Sequence, residues 1–287
     1  MKKWKRSERI ADMTWQLMEQ PHHLFSLSIF SQRYGSAKSS ISEDLAIVDQ
    51  VIRERGIGFL ETVAGAAGGV RYVPQIKMDH AKELLQQLAL KLSDPTRILP
   101  GDFLYLSDLL ADPLWMRRIG RIWATLFLNQ QIDAIVTVAT KGIPLAYAVA
   151  NYLSVPVAIV RQDSRVTEGS VVTVNTVSGS SRQIRTLSLA RRSLKEGARV
   201  LVVDDFMKAG GTIRGIINLL AEFRAEVMGV GVFVESPAKE RLVEKYVSLL
   251  TVAELDAKRN QVVVKLGNLF EDKEGYGNES DSDKPSS

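Results

Sequence analysis

Cysteine is absent from the 287-residue chain, which excludes disulfide bonds and thiolate chemistry. Histidine is rare: His22, His23 and His80 lie outside the motifs described below, and no group of residues has the spacing of a metal site. No apolar run reaches the roughly 20 residues that span a bilayer, and no apolar segment follows the basic N-terminus as it does in a signal peptide. We therefore expect a cytoplasmic globular protein with neither a structural metal nor a membrane partner.

The net charge of +4 is unevenly distributed along the chain. The first ten residues carry five bases and one acid, whereas residues 271–287 carry six acids and two lysines. A basic arm favours a polyanionic partner, although solvated charge at a chain end has the same composition. The acidic segment is rich in Ser, Asp and Gly and has little to bury, so we predict a disordered tail over 271–287.

Residues 1–74 have the layout of a winged helix-turn-helix domain. The spacing of apolar residues predicts helices over 7–20, about 27–34 and 36–55, and two short alternating strands around a glycine-rich turn predict a hairpin that ends near Pro74. In such a domain the N-terminal end of the third helix enters the major groove of duplex DNA. The predicted DNA contacts are Lys2, Lys3, Lys5, Arg6, Ser36, Lys38, Ser39, Ser40, Ser42 and Arg71.

Two observations leave the DNA-contact prediction open at this point. Ser36 or Ser39 could instead only cap the third helix, because serine is a favoured N-cap residue. The domain also carries little net charge, since residues 1–73 contain ten bases and eight acids. Binding to DNA would therefore depend on local basic patches.

After about residue 100 the pattern changes to strand-length apolar runs with helical stretches between several of them. This alternation predicts a mostly parallel α/β sheet in a second domain over 75–270. The predicted strands are Asp133–Ala139, Pro156–Val160, Val200–Val203 and Val227–Val234, and the helices include Leu145–Tyr152 and Thr212–Phe223. Residues 162–198 interrupt the pattern with a long polar stretch, which we interpret as an inserted flap.

The strongest motif is VLVVDDFMKAGGT over 200–212: an apolar strand, two adjacent acids, a loop with paired glycines, and a helix. A helix N-terminus attracts phosphate, and glycines let the backbone approach it. The acids suit vicinal ribose hydroxyls, and the motif matches the phosphoribosyl pyrophosphate (PRPP) motif of type I phosphoribosyltransferases. The predicted PRPP-binding residues here are Asp204, Asp205, Phe206, Met207, Lys208, Ala209, Gly210, Gly211 and Thr212.

A second loop supports the same ligand. The stretch TVATKGIP over 137–144 follows another predicted strand and resembles the pyrophosphate loop of the same enzymes. We predict that Thr140, Lys141 and Gly142 meet the diphosphate, which normally carries Mg²⁺.

Taken together, four stretches identify a resemblance that covers nearly the whole chain: SAKSSISEDL (36–45), AGAAGGVRYVP (64–74), ATKGIPLAYA (139–148) and VVDDFMKAGGT (202–212). The chain resembles the bacterial purine operon repressor family. That resemblance implies a homodimer that binds operator DNA and represses genes of purine synthesis and transport. It also implies that PRPP is the inducer and that the phosphoribosyltransferase fold acts as a sensor and not as a catalyst.

Three alternatives remain at this point. The chain could be an active purine phosphoribosyltransferase with an accessory N-terminal domain, because its PRPP motif is intact. It could be an RNA-binding attenuator, although a winged helix suits duplex DNA better. A purine nucleotide could also compete for the PRPP site, with Phe206, Phe103 and Tyr105 as candidate stacking residues.

Overall fold

The computed structural model describes residues 4–65, 68–101, 103–162, 169–177 and 184–271. Lys2 and Lys3, the centre of the predicted wing turn, and the predicted tail from residue 272 onward lie outside the described residues.

The N-terminal part contains three helices followed by a two-stranded hairpin, as predicted. Its elements are α1 (Arg6–Glu19), α2 (Leu27–Tyr34), α3 (Lys38–Glu54), β1 (Gly58–Val63) and β2 (Gly69–Pro74). The two strands pair antiparallel, with Gly58 opposite Pro74. Helix α2 stops at Gly35, whose left-handed backbone ends the hydrogen-bonded ladder. Helix α3 begins two residues later than predicted, so Ser36 precedes the helix.

One apolar core joins these elements. The apolar residues of α3, whose helical spacing predicted this helix, are buried. They pack against the inner face of α1 and the aromatic residues of α2. The main contributors are Met13, Leu17, Phe30, Tyr34, Ile41, Leu45, Val48 and Ile52. The hairpin is tied to this core through a backbone bridge between Phe25 and Val70.

The second part is a mixed α/β domain. Its helices are α4 (Met78–Leu92), α5 (Ser107–Ala111), α6 (Pro113–Leu126), α7 (Gly142–Leu153) and α8 (Gly211–Ala221). Its strands are β3 (Ile98–Leu99), β4 (Phe103–Leu104), β5 (Ala134–Val138), β6 (Val157–Val160), β7 (Val171–Val177), β8 (Ile184–Ala190), β9 (Arg199–Met207), β10 (Glu226–Glu235), β11 (Val247–Asp256) and β12 (Gln261–Leu266). Six strands form one sheet in the order β12-β11-β10-β9-β5-β6, and all are parallel except β12.

The central strand β9 is apolar on both sides because helices or strands cover both faces of the sheet. Leu201 and Val203 point toward α4, α5, α6 and α7, which form the larger core. Val200 and Val202 point to the opposite face, where α8 and the hairpin β7–β8 pack. Asp204 and Asp205, which come directly after these apolar residues, lie at the carboxyl end of β9. Ligands bind at this edge of the sheet in such folds.

The structure differs from the sequence prediction in the extent of β9 and in several elements that were not predicted. Strand β9 continues to Met207, so both acids belong to the strand, because β10 pairs with it up to Glu235 opposite Met207. The strands β11 and β12 and the helix α6 were not predicted. The stretch 162–198 does contain an insertion, and its described part is the antiparallel hairpin β7–β8. Within the described residues we find no helix with the length and apolarity needed to cross a membrane.

Candidate functional site

Two adjacent carboxyl groups lie at the end of β9. Asp204 is 3% exposed, and its Oδ1 accepts a hydrogen bond from the Asp205 backbone nitrogen at 3.0 Å. Burial raises the pKa of Asp204 well above its usual range, and the charge of Asp205 raises that pKa further. Burial also raises the pKa of Asp205, while the Lys141 ammonium opposes this shift. Acids held this way accept hydrogen bonds from hydroxyl groups that enter the site.

The loop after β9 presents backbone amides to a cavity of about 320 Å³. Gly210 has φ +87° and caps α8 without a side-chain hydrogen bond, and the first amide of α8 with an intrahelical partner is that of Arg214. The preceding amides at the start of the helix therefore face the loop, which is the arrangement that binds phosphate. A side chain at Gly210 would be strained in this backbone conformation.

The segment that follows β10, the parallel neighbour of β9, supports this loop. The backbone nitrogen of Leu242 donates to the Ala209 carbonyl at 2.8 Å, and the Arg241 guanidinium donates to the Lys208 carbonyl. Arg241 is itself held by the buried Glu235 carboxylate at 2.6 Å. These contacts fix the path of the predicted PRPP loop before any ligand enters.

The second predicted loop lies beside the acid pair because β5 is the direct neighbour of β9 in the sheet. Thr140 and Lys141 are exposed, and Gly142 starts α7 in a buried position. A Cβ at Gly142 would lie 2.1 Å from the Thr137 Oγ1 and 3.4 Å from the Asp204 Oδ1, so only glycine permits this approach. The structure therefore brings both predicted loops to one site.

The buried Thr137 hydroxyl lies beneath this second loop and has no hydrogen-bond partner among the described residues. Buried polar groups are seldom left without a partner. This hydroxyl therefore fits a site whose polar contacts are completed by a bound molecule or water.

No individual flap residue was predicted to belong to the site, but several of them line it in the structure. The cavity at the phosphate loop is also lined by residues of the flap and its entry: Gln162, Thr176, Arg185 and Leu187. The excess of arginine over 162–198 was the only available signal. The hairpin lies on α8, where Leu187 and Thr176 pack over Gly215, and this packing brings Arg185 to the cavity.

A second cavity of about 490 Å³ adjoins the acid pair on the side of β3 and β4. It is mostly apolar and is lined by Leu99, Pro100, Phe103, Leu104, Leu106, Lys141, Asp205 and Phe206. Phe103 also lines the phosphate-loop cavity, so Phe103 and Phe206 lie where the two cavities meet. Tyr105 lines neither cavity, and its carbonyl accepts a hydrogen bond from Arg97 at 3.0 Å. This second cavity suits a planar apolar ring.

Within the part of the chain that the structure describes, no three Asp, Glu, His or Cys side chains cluster tightly enough to hold a metal ion. Two adjacent carboxylates beside a phosphate loop nevertheless fit an Mg²⁺ ion that arrives with a diphosphate, since Mg²⁺ usually takes only one or two protein carboxylates.

The N-terminal end of α3 is the candidate DNA interface. Lys38, Ser39 and Ser42 are exposed, and Ser36 and Ser40 are half-buried. The N-cap is Ala37 and no side chain caps the helix, so the capping alternative for Ser36 and Ser39 is wrong. The free amides and Lys38, which forms no ion pair with another described residue, can therefore meet a DNA phosphate.

Two other predicted DNA contacts have partners inside the protein. Arg6 and Arg9 both donate to Asp44, which is 1% exposed, at 2.8 Å. Arg71 donates to Glu61 on the neighbouring wing strand at 2.6 Å. Lys5 is exposed. Arg6 and Arg71 are therefore held by carboxylates of the protein itself, and their contact with DNA stays a prediction.

The two parts of the chain match two different families of known proteins. Residues 5–74 match the family described as "Bacterial purine repressor, N-terminal". Residues 106–267 match the family described as "Phosphoribosyl transferase domain".

Two relatives and one solved structure illustrate the similarity. The chain is 54% identical over 269 residues to the purine biosynthesis transcriptional repressor PurR of Bacillus subtilis, covering 93% of this chain and 94% of the relative. It is 46% identical over 270 residues to the purine biosynthesis transcriptional activator PurR of Lactococcus lactis subsp. lactis, covering 94% and 100%. An adenine phosphoribosyl transferase from Trypanosoma brucei aligns with a TM-score of 0.47 and 21% identity, over 53% of this chain and 67% of that one.

The two family matches confirm the predicted fold class, a helical and β DNA-binding domain followed by a phosphoribosyltransferase α/β domain. The chain belongs to the bacterial purine repressor family of transcriptional regulators.

Proposed function

We propose that this protein is a homodimeric repressor of purine biosynthesis and transport genes, and that PRPP with Mg²⁺ relieves its binding to operator DNA. The single observation that supports the proposal is that one chain combines a buried acid pair beside the uncapped N-terminus of α8 with a winged helix whose α3 N-terminus is open. A ligand site of this kind has no role in DNA binding itself, so we infer that it senses the concentration of its ligand.

The ligand follows from the chemistry of the site. The carboxyl groups of Asp204 and Asp205 accept hydrogen bonds from the two ribose hydroxyls, and the amides at the start of α8 hold the 5′-phosphate. Lys141 and the loop before α7 meet the diphosphate, and Mg²⁺ supplies further neutralisation of its charge. A purine nucleotide would compete with PRPP by placing its base in the cavity between Phe103 and Phe206.

The direction of regulation needs its own evidence, because one relative is named a repressor and another an activator. We infer repression for this chain because it shares 54% of aligned residues with the repressor and 46% with the activator. A reporter gene behind a purine promoter would decide, since deletion of a repressor raises expression and deletion of an activator lowers it.

The ligand proposal is tested by calorimetric titration of the full chain with PRPP and Mg²⁺, using the wild type and an Asp204→Ala, Asp205→Ala variant. We expect the wild type to bind PRPP and the variant to lose this binding while both bind promoter DNA. Equal PRPP binding by the variant would contradict the assigned site, and loss of DNA binding would contradict the separation of the two functions.

Purine phosphoribosyltransferase activity is a second candidate, favoured by the apolar cavity beside an intact acid pair. Incubation with PRPP, Mg²⁺ and each purine base tests it. Nucleotide formation that disappears in the Asp204→Ala, Asp205→Ala variant would establish the enzyme; we expect none from the wild type.

A further inference from the structure

One helix contacts both the candidate ligand site and the DNA-binding domain. Helix α7 begins in the diphosphate loop at Gly142, whose backbone lies against the acid pair, and ends at Leu153. Its twelve residues span about 18 Å at the usual rise of about 1.5 Å per residue. A displacement at the ligand end is therefore carried to the other end by a stiff element.

The far end of α7 is hydrogen-bonded to the loop between α1 and α2. The Ser154 hydroxyl donates to the Pro21 carbonyl at 2.7 Å, and the Tyr152 carbonyl lies 3.1 Å from the His22 Nε2. The backbone nitrogen of His22 donates to the Tyr72 carbonyl of β2 at 2.9 Å. The loop is thus held between α7 and the wing strand. We call the two side-chain contacts, of His22 with the Tyr152 carbonyl and of Ser154 with the Pro21 carbonyl, the joint.

Helix α6 strengthens this connection. Its Gly120 lies against the α7 backbone, since a Cβ there would come within 2.5 Å of the Ala148 carbonyl oxygen. The Arg121 guanidinium lies over the Tyr152 ring at 5.3 Å. The Thr125 hydroxyl accepts a hydrogen bond at 3.0 Å from the Ile76 nitrogen, just after β2. The two helices are therefore packed against each other, and they contact both the α1–α2 loop of the DNA-binding domain and the segment that directly follows that domain at Ile76.

We propose that the α6–α7 pair is the lever that couples the ligand site to the DNA-binding domain, and that His22 and Ser154 are the positioning residues that transmit the signal. The proposal rests on the proposed function. A ligand shifts an equilibrium only if it binds the two states unequally. The bound diphosphate contacts the first turn of α7 and therefore favours one position of that helix. Because the joint connects the other end of α7 to the α1–α2 loop, the position of α7 determines the orientation of the winged helix.

The joint can be removed with little disturbance of the backbone. His22 has φ +63° and Ser154 has φ +55°, and glycine adopts this left-handed region without strain. The double variant His22→Gly, Ser154→Gly removes both side-chain contacts and keeps the chain path. Asn260→Gly is the matched control, because Asn260 has φ +51° and is exposed in the turn between β11 and β12, away from the joint.

The measurement is the ratio of dissociation constants for promoter DNA with and without PRPP and Mg²⁺, obtained by fluorescence anisotropy on the full chain. Allosteric coupling typically changes affinity by about 5- to 150-fold. We expect the wild type and the Asn260→Gly control to show such a ratio and the joint variant to lose most of it, while calorimetry shows that it still binds PRPP. A full wild-type ratio in the joint variant would overturn the proposal.

A second measurement applies if the joint variant no longer binds DNA. The chain has no cysteine, so spin labels at Gln50→Cys on α3 and Asn218→Cys on α8 report the interdomain distance, once each single-label variant has identified the distances between protomers. Both positions are exposed. We expect saturating PRPP to shift this distance in the otherwise wild-type chain, and an unchanged distance would overturn the proposal. Failure of the wild type to bind PRPP in the calorimeter would instead contradict the proposed function, and with it the coupling.

Discussion

Asp204 shows the conflict between stability and ligand binding at a single residue. Its carboxyl group is buried and forms no ion pair with a cation of the described residues, and both burial and the neighbouring Asp205 raise its pKa. A folded-state pKa above the unfolded value means that folding becomes less favourable as pH rises from the unfolded pKa through the folded one. We therefore expect this residue to lower the stability of the domain at neutral pH, where its carboxyl group is charged.

We predict that Asp204→Asn stabilises the protein by about 0.5–2 kcal/mol at neutral pH and weakens PRPP binding. The gain should shrink as pH falls below the raised pKa, because the wild-type carboxyl group is then protonated and also uncharged. Urea unfolding at several pH values checks this, and a less stable variant at neutral pH would contradict it.

Lys38 is the exposed cation at the open end of α3. We predict that Lys38→Ala weakens DNA binding on every sequence and lowers the slope of log affinity against log salt by about 0.9, the value for one phosphate contact. Lys82→Ala, an exposed lysine on α4, is the control and should leave the slope unchanged. A wild-type slope in the Lys38→Ala variant would show that Lys38 does not contact a DNA phosphate.

Asp44 is a buried carboxylate that two arginines of α1 hold in place. We predict that Asp44→Ala destabilises the N-terminal domain by about 1–3 kcal/mol, because two guanidinium groups lose their charged acceptor. Thermal unfolding checks this. Unchanged stability in the variant would show that the ion pairs of Arg6 and Arg9 with Asp44 do not stabilise the domain.

Among the elements, the flap hairpin shows how packing determines access to the site. Gly215 on α8 lets β7 and β8 approach, since a Cβ there would lie 2.8 Å from the Leu187 side chain and 3.0 Å from Thr176. We predict that Gly215→Val displaces the hairpin at a cost of about 1–3 kcal/mol and lowers PRPP affinity by removing Arg185 from the cavity.

Calorimetric titration of this variant with PRPP is the check, and Asn218→Val, at an exposed position of the same helix, is the control for introducing valine. Wild-type affinity in Gly215→Val would show that the hairpin does not contribute to the ligand site.

Elements with a clear pattern of apolar residues in the sequence were predicted, and elements without one were missed. The stripe Ile41, Leu45, Val48 and Ile52 repeats at helical spacing, so the sequence predicted α3 to within a few residues. Strands β11 and β12 were missed because no helix separates β10 from β11, so the strand-helix alternation that marked the other strands is absent. The 3.0 Å contact of Asp205 with Asp204 and the position of Arg185 depend on folding, which no local pattern reveals.

For the molecule as a whole, the two predicted ligand loops were recognisable as motifs, but their adjacency was not. It arises because β5 and β9, far apart in the chain, are neighbours in the sheet. The contacts of Ser154 with Pro21 and of His22 with Tyr152 join residues more than a hundred positions apart and follow from tertiary packing alone.

The measurement that tests the central claim most directly is binding of the full-length protein to duplex DNA of a purine-gene promoter over a salt series, with and without PRPP and Mg²⁺. The account predicts sequence-specific binding whose affinity falls with salt and is further weakened by PRPP. Absence of sequence-specific binding at every salt concentration, while PRPP still binds the protein, would contradict it and favour the enzyme.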